Sequence, residues 1–93
     1  MLRFTILGSG SSGNCAFLET DGARILIDAG FSGKQINERL QKIGRSIHDV
    51  QAIFITHEHS DHVCGLPVLT KRHKIPVYCN RKTAEALRPD LAA

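Results

Sequence analysis

Tryptophan is absent from this chain and aromatic residues make only 5% of it, so no row of rings offers a stacking platform for single-stranded nucleic acid. The cysteines, Cys15, Cys64 and Cys79, are odd in number and far apart, with no C-x-x-C spacing. That excludes a disulfide framework and an all-sulfur zinc site, and the three are expected to be buried thiols. Apolar runs are short, well under the roughly 20 residues a membrane helix requires, and Met1-Leu2-Arg3-Phe4 lacks the layout of a signal peptide. The expectation is a cytoplasmic protein without a membrane partner. No repeat or low-complexity linker divides the chain, so residues 1–93 are read as one unit. With 42% hydrophobic and 23% charged residues, a disordered or fibrous chain is also excluded.

What is present is an alternation of strand and helix signals. Arg3 to Leu7 and Asn14 to Thr20 read as strands, and Asp21-Gly22 as the turn into a third, Arg24 to Asp28. Phe31-Ser32-Gly33-Lys34-Gln35-Ile36 carries a helix start: Ser32 as N-cap, Gln35 closing a capping box, and Phe31 stapled to Ile36. Ile36, Leu40 and Ile43 form one apolar face, and Gly44 stands where a terminating glycine belongs. Gln51 to Thr56 is a buried strand, Pro67 starts a helical turn, Ile75 to Cys79 is a strand, and Thr83 to Leu87 a short helix. The order predicts an α/β layered fold.

Directly after the fourth strand comes Thr56-His57-Glu58-His59-Ser60-Asp61-His62. If the backbone stays extended, His57 and His59 project to the same side and can grip one metal ion. Ser60 is suited to cap a helix whose first turn presents Asp61 and His62 to a second ion, leaving Glu58 and Ser60 turned away from the metals. Two ions about 3.5–4 Å apart activate a water and neutralise charge on a scissile phosphate or carbonyl. Composition alone would produce the four-residue pattern roughly seven times in ten thousand such chains, so chance surface histidines are a poor account. Mixed nitrogen and oxygen donors suit zinc, with manganese or iron as alternatives.

His57-x-His59-x-Asp61-His62 after a hydrophobic strand resembles the signature of the metallo-β-lactamase superfamily. The likeness extends to Leu7-Gly8-Ser9-Gly10-Ser11-Ser12-Gly13-Asn14-Cys15, to Ile25-Leu26-Ile27-Asp28-Ala29-Gly30, and to Val63-Cys64-Gly65-Leu66, and is nearest to its WalJ (YycJ) branch. The resemblance implies an αββα hydrolase and, for that branch, an exonuclease acting on DNA from the 5′ end. Carried over by position, His57 and His59 hold the first metal, and Asp61 and His62 the second. His59 and Asp61 take part in catalysis, Asp61 also orienting or activating the water. Asp28 supports the metal loop, with a plain turn residue as its alternative. Family members add a third histidine, a bridging aspartate and a last histidine from further along the chain. The expectation is therefore that residues 1–93 form the amino-terminal portion of such a sandwich. His48 and His73, the histidines outside the motif, are expected to face solvent rather than act as ligands.

A rival lies in Gly8-x-Gly10-x-x-Gly13, which spells a dinucleotide fingerprint with Asp28 in place of a ribose-binding acid. That fingerprint needs a helix to begin inside the glycine run, and Cys15 to Thr20 leaves no room for one before the next turn. The loop is instead read as an edge of the metal cleft, where Ser11, Ser12 and Asn14 either contact an anionic substrate or form a plain glycine turn. The net charge of +3, with Lys71-Arg72-His73-Lys74 and Arg81-Lys82 as basic clusters, is compatible with DNA backbone contact and equally with a solvated helix face. Two functions stand: a two-metal phosphodiesterase, and a non-catalytic metal-binding fragment. Among hydrolases, an ester, thioester or lactam substrate remains open, and the residues set no oligomeric state.

Overall fold

The computed structural model describes residues 2–57 and 59–91, the side chains at 60, 61 and 88–91 excepted. Five strands form one sheet in sequence order: β1 Leu2–Gly8, β2 Cys15–Thr20, β3 Arg24–Ile27, β4 Ala52–Phe54 and β5 Val77–Tyr78. β1, β2 and β3 are an antiparallel meander; β4 and β5 add in parallel after helical crossovers. The helices are α1 Gly33–Gln41, α2 Ser60–Val63, α3 Leu66–Lys71 and α4 Arg81–Leu91, with a 3-10 turn at Ile47–Asp49.

Register decides which residues make the core. Phe17 pairs with Leu26, Leu26 with Ile53 and Ile53 with Val77, giving one apolar row across four strands. Phe17, Leu26 and Ile53 are fully buried, together with Ile36 and Leu40 of α1 and Leu66 and Leu69 of α3. Because side chains alternate along a strand, the next row, Ile6, Ala16, Ile27, Phe54 and Tyr78, lies on the opposite face. There Ile6, Phe54 and Tyr78 are exposed, as are Leu2 and Phe4, and the Phe54 and Tyr78 rings stack with centroids 5.2 Å apart. The sheet is thus covered by helices on one side and apolar on the other, the layering expected for the amino-terminal portion of an αββα sandwich.

α1 forms as its sequence dictates. Ser32 accepts the Gln35 backbone N–H while the Gln35 side chain accepts the Ser32 N–H, completing the capping box. At the other end Gly44 has φ 75°, and Arg45 N–H to Leu40 O with Gly44 N–H to Gln41 O gives the paired bonds of a Schellman closure. Several boundaries differ from the expected ones, three of them for evident local reasons. β3 stops at Ile27 because Asp28 turns to φ 66°. β4 stops at Phe54 because the Thr56 N–H leaves the ladder for the Asp28 carboxylate. α4 begins at Arg81, ahead of the expected Thr83, because the Asn80 side chain accepts the Thr83 N–H as a cap.

The expectation of three buried thiols holds for Cys15 but not for Cys64, which is exposed, and Cys79 is half-buried. Cys64 follows α2 directly, in the turn between it and α3. His48 is exposed and His73 half-buried, their rings meeting edge-on at 5.8 Å. Among the described residues no helix is long and apolar enough to cross a membrane.

Candidate metal centre

The carboxyl ends of β3 and β4 lie side by side, and the chain leaving each supplies part of one cluster. Asp28 follows β3, nearly buried, in a left-handed conformation that aspartate tolerates better than most residues. Its own N–H donates to Phe54 O at 2.7 Å, which fixes it against the end of β4. One carboxylate oxygen, Oδ1, accepts the Thr56 N–H at 2.8 Å. The other, Oδ2, accepts the Thr56 hydroxyl at 2.7 Å and lies 2.8 Å from His62 Nδ1. The same hydroxyl is 3.0 Å from His57 Nδ1.

Backbone bonds tie the histidine loop to the segment after β3. Ala29 N–H donates to His62 O at 2.7 Å, Gly65 N–H to Ala29 O at 2.9 Å, and His62 N–H to His59 O at 2.8 Å. Gly65 is required at this approach: a Cβ there would stand 2.3 Å from Phe31 O and 3.3 Å from Ala29 O. The imidazoles are consequently gathered. The His57 and His62 rings are 4.9 Å apart between centroids, and the His57 and His59 rings are 6.0 Å apart with their planes 26° from parallel.

Among the described residues no group of three His, Cys, Asp or Glu side chains converges tightly enough to hold an ion unaided. The Asp61 and Ser60 side chains and Glu58 lie outside the described residues. The helix start expected at Asp61 is present as α2, with Ser60 as its first residue.

The glycine loop abuts this cluster. Asn14 closes it, its side-chain Oδ1 accepting Gly10 N–H at 3.1 Å and its Nδ2 donating to Gly10 O at 2.8 Å, while Gly30 N–H donates to Asn14 O. Strand β2 follows at once, so the helix required by a dinucleotide fingerprint does not form. Arg39 of α1 lies 4.0 Å over the Phe31 ring and donates to Leu7 O, pinning the loop's base. A shallow cleft of about 160 Å³ runs from Ser9 and Asn14 to Asp28 and His62. Ser11 and Ser12 stand exposed on the loop. Cys15 lies beneath, its thiol pushed up to about 12 by burial and then by the Asp28 charge, with Arg39 opposing.

Three residues of this neighbourhood carried no expected role: Thr56, Ser9 and Gly65. Thr56 was legible only as a strand residue; a hydroxyl at the strand exit, next to the first histidine, is the signal that marks it. Gly65 could be suspected only from its place after a histidine motif, since the atoms it must clear come from residues 29–31.

Comparison with known proteins identifies the fold. The sequence profile of the Metallo-beta-lactamase superfamily matches residues 8–93. Exodeoxyribonuclease WalJ of Streptococcus pneumoniae serotype 2 (strain D39 / NCTC 7466) is 48% identical over 85 residues, which is 91% of this chain and 32% of that protein. Exodeoxyribonuclease YycJ of Bacillus anthracis is 45% identical over 86 residues, 92% of this chain and 33% of that protein. The chain spans about a third of the length of these curated relatives. Among solved structures, the Rm3 metallo-beta-lactamase superposes with a TM-score of 0.78 at 27% identity, covering 90% of this chain and 32% of that one. Members of such a family hold divalent metal ions, typically zinc. With its profile matched over residues 8–93 and its fold shared, the chain belongs to the metallo-β-lactamase superfamily.

Proposed function

We propose that the protein carrying this chain is a metal-dependent phosphodiesterase, a DNA exonuclease acting from the 5′ end. The observation that carries the metal reading is the anchoring of the imidazoles. His57 and His62 each have Nδ1 tied to a polar partner, one to Thr56 and one to Asp28, the kind of bond that orients a metal-binding imidazole. That donor set fits zinc, with manganese or iron as alternatives. In this reading His57 and His59 hold one ion, and Asp61 and His62 a second.

Bound divalent ions supply charge neutralisation at a scissile phosphate and a nucleophile active at neutral pH. The chain's own residues supply placement. Asp28, through its bonds to Thr56 and His62, holds both sides of the histidine loop in one arrangement and supports the site without ligating. The cleft from Ser9 and Asn14 to His62 is where a substrate phosphate would lie, with Ser11 and Ser12 exposed on the loop between Ser9 and Asn14. In this reading His59 and Asp61 are the catalytic residues, Asp61 also orienting or activating the water. DNA as the substrate rests on relatives that are named exodeoxyribonucleases at 45–48% identity. A lactam substrate rests on fold likeness at 27% and is the weaker reading.

The test is cleavage of a 5′-phosphorylated duplex by the full-length protein with and without added metal. Asp61→Ala and His59→Ala are each expected to lower metal-dependent cleavage by two orders of magnitude or more, on the order expected when an ion's ligand is lost. Undiminished cleavage in both variants would overturn the proposal.

A further inference from the structure

We infer that Thr56 is a positioning residue: its single hydroxyl, acting with Asp28, sets the tautomer of His57 while the same carboxylate sets that of His62, so that one buried group prepares an imidazole on each side of the site. The inference rests on the metal reading above and adds to it a residue outside the expected ligand set.

The argument is a proton count. Thr56 Oγ1 lies 2.7 Å from Asp28 Oδ2, and a carboxylate can only accept, so the hydroxyl proton is spent there. Having one proton and no more, Oγ1 must accept from its other neighbour, His57 Nδ1, at 3.0 Å. His57 therefore carries its proton on Nδ1. His62 Nδ1, 2.8 Å from Asp28 Oδ2, is likewise the donor to a carboxylate. The chain of bonds runs His57, Thr56, Asp28, His62, and at both ends it holds the ring proton on Nδ1, the tautomer whose lone pair is on Nε2. Neutral imidazole binds a metal through whichever nitrogen lacks the proton, and the bond made by the other nitrogen decides which that is.

Three further features keep the hub in place. Asp28 Oδ1 accepts the Thr56 N–H at 2.8 Å, so the carboxylate grips both the backbone and the side chain of one residue. The Asp28 N–H is held by Phe54 O. Thr56 is β-branched, which restricts χ1, so its hydroxyl stays directed at both partners. Serine would keep the hydrogen bonds with more rotamer freedom, and valine would keep the shape without them.

The experiment is ¹⁵N NMR of the imidazole rings in the metal-free protein at pH 8, followed by zinc titration, for wild type, Thr56→Val and Thr56→Ser. In wild type, His57 and His62 are both expected to show a protonated Nδ1 and a lone pair on Nε2. In Thr56→Val, His57 is expected to lose that preference while His62 keeps it, since Asp28 is still present; His62 also reports that the site remains folded. Zinc affinity is expected to fall about 10- to 100-fold in Thr56→Val and to recover in Thr56→Ser, the range found for partners of metal-bound histidines. A wild-type His57 protonated on Nε2, or a Thr56→Val protein binding zinc as tightly as wild type, overturns the inference. Wild type with both tautomers as stated but no zinc uptake leaves the positioning intact and overturns the metal reading instead.

Discussion

Replacing Gly65 by alanine probes the junction that holds the histidine loop to the sheet. The backbone at Gly65 has φ −86° and ψ −9°, which alanine adopts without strain, so the whole cost is steric. The added Cβ would stand 2.3 Å from Phe31 O, 3.2 Å from Ile36 Cδ1 and 3.3 Å from Ala29 O. A flexible side-chain end could give way, but the first and nearest obstacle is backbone. That backbone is held by Gly30 N–H to Asn14 O and by Ala29 N–H to His62 O, so moving it strains the glycine loop and the histidine loop together. Overpacking of this kind costs about 1–3 kcal/mol. Weakening the Gly65 N–H bond to Ala29 O adds about 1 kcal/mol, and the smaller entropy of the unfolded alanine chain offsets about 0.4–1 kcal/mol. The net expectation is a loss of about 2 kcal/mol. For a domain of this size that is a fall in Tm of about 8–16 °C. Gly22→Ala is the control: a Cβ there meets nothing within 4 Å, and the change should stay within about 0.5 kcal/mol of wild type. Urea and thermal unfolding followed by circular dichroism measure both. A Gly65→Ala protein as stable as the Gly22→Ala control would refute the steric argument.

Two further predictions concern the cysteines and a buried carboxylate. With iodoacetamide at pH 8, Cys64 should be alkylated first and Cys15 only as the protein unfolds, because Cys15 is buried and its thiol is pushed up to about 12. Peptide mass spectrometry against time reads this, and equal rates in the folded protein would contradict it. Glu19, buried on β2, accepts from Arg45 Nε at 2.7 Å and lies 3.3 Å from Arg24 Nε. The Arg45 hydrogen bond, aided by the charges of Arg45, Arg24 and Arg3, holds its carboxyl below the usual 4.5 while burial pushes the other way. A lowered folded-state value means the stabilisation is present above the ordinary carboxylate range and is lost as pH falls through the folded value. Thermal unfolding from pH 7 to pH 3 should therefore show wild type converging on Glu19→Gln as the pH falls; parallel curves would count against the ion-pair account.

How much of this was legible in the sequence depends on the range of the interactions involved. Local chemistry could be read directly: Ser32 and Gln35 cap α1, and Gly44 ends it, because each acts on atoms within a few residues. Fold class followed from the pattern of apolar residues, since Phe17, Leu26 and Ile53 reach the core through strand periodicity. Strand ends were less legible. β3 and β4 stop where Asp28 and Thr56 bond each other, and that pair is brought together only by parallel pairing of the two strands. The exposure of Cys64 was missed for a similar reason, because burial of a thiol is set by what folds over it. At the site, the histidines announce themselves by spacing. The residues bonded to them are less plain: Asp28, 34 positions from His62 along the chain, is assigned a supporting role only through the family resemblance, and Thr56 reads as one more β-branched strand residue.

X-ray absorption of the zinc-loaded protein tests the central claim most directly, because it separates sulfur from nitrogen and oxygen donors and shows imidazole scattering. A site built from His57, His59, Asp61 and His62 predicts a shell of nitrogen and oxygen at about 2.0–2.1 Å with imidazole scattering and no sulfur. Cys64, exposed and two positions beyond His62, is the thiol best placed to compete. A sulfur shell near about 2.3 Å, or a protein that retains no zinc at all, would contradict the assignment.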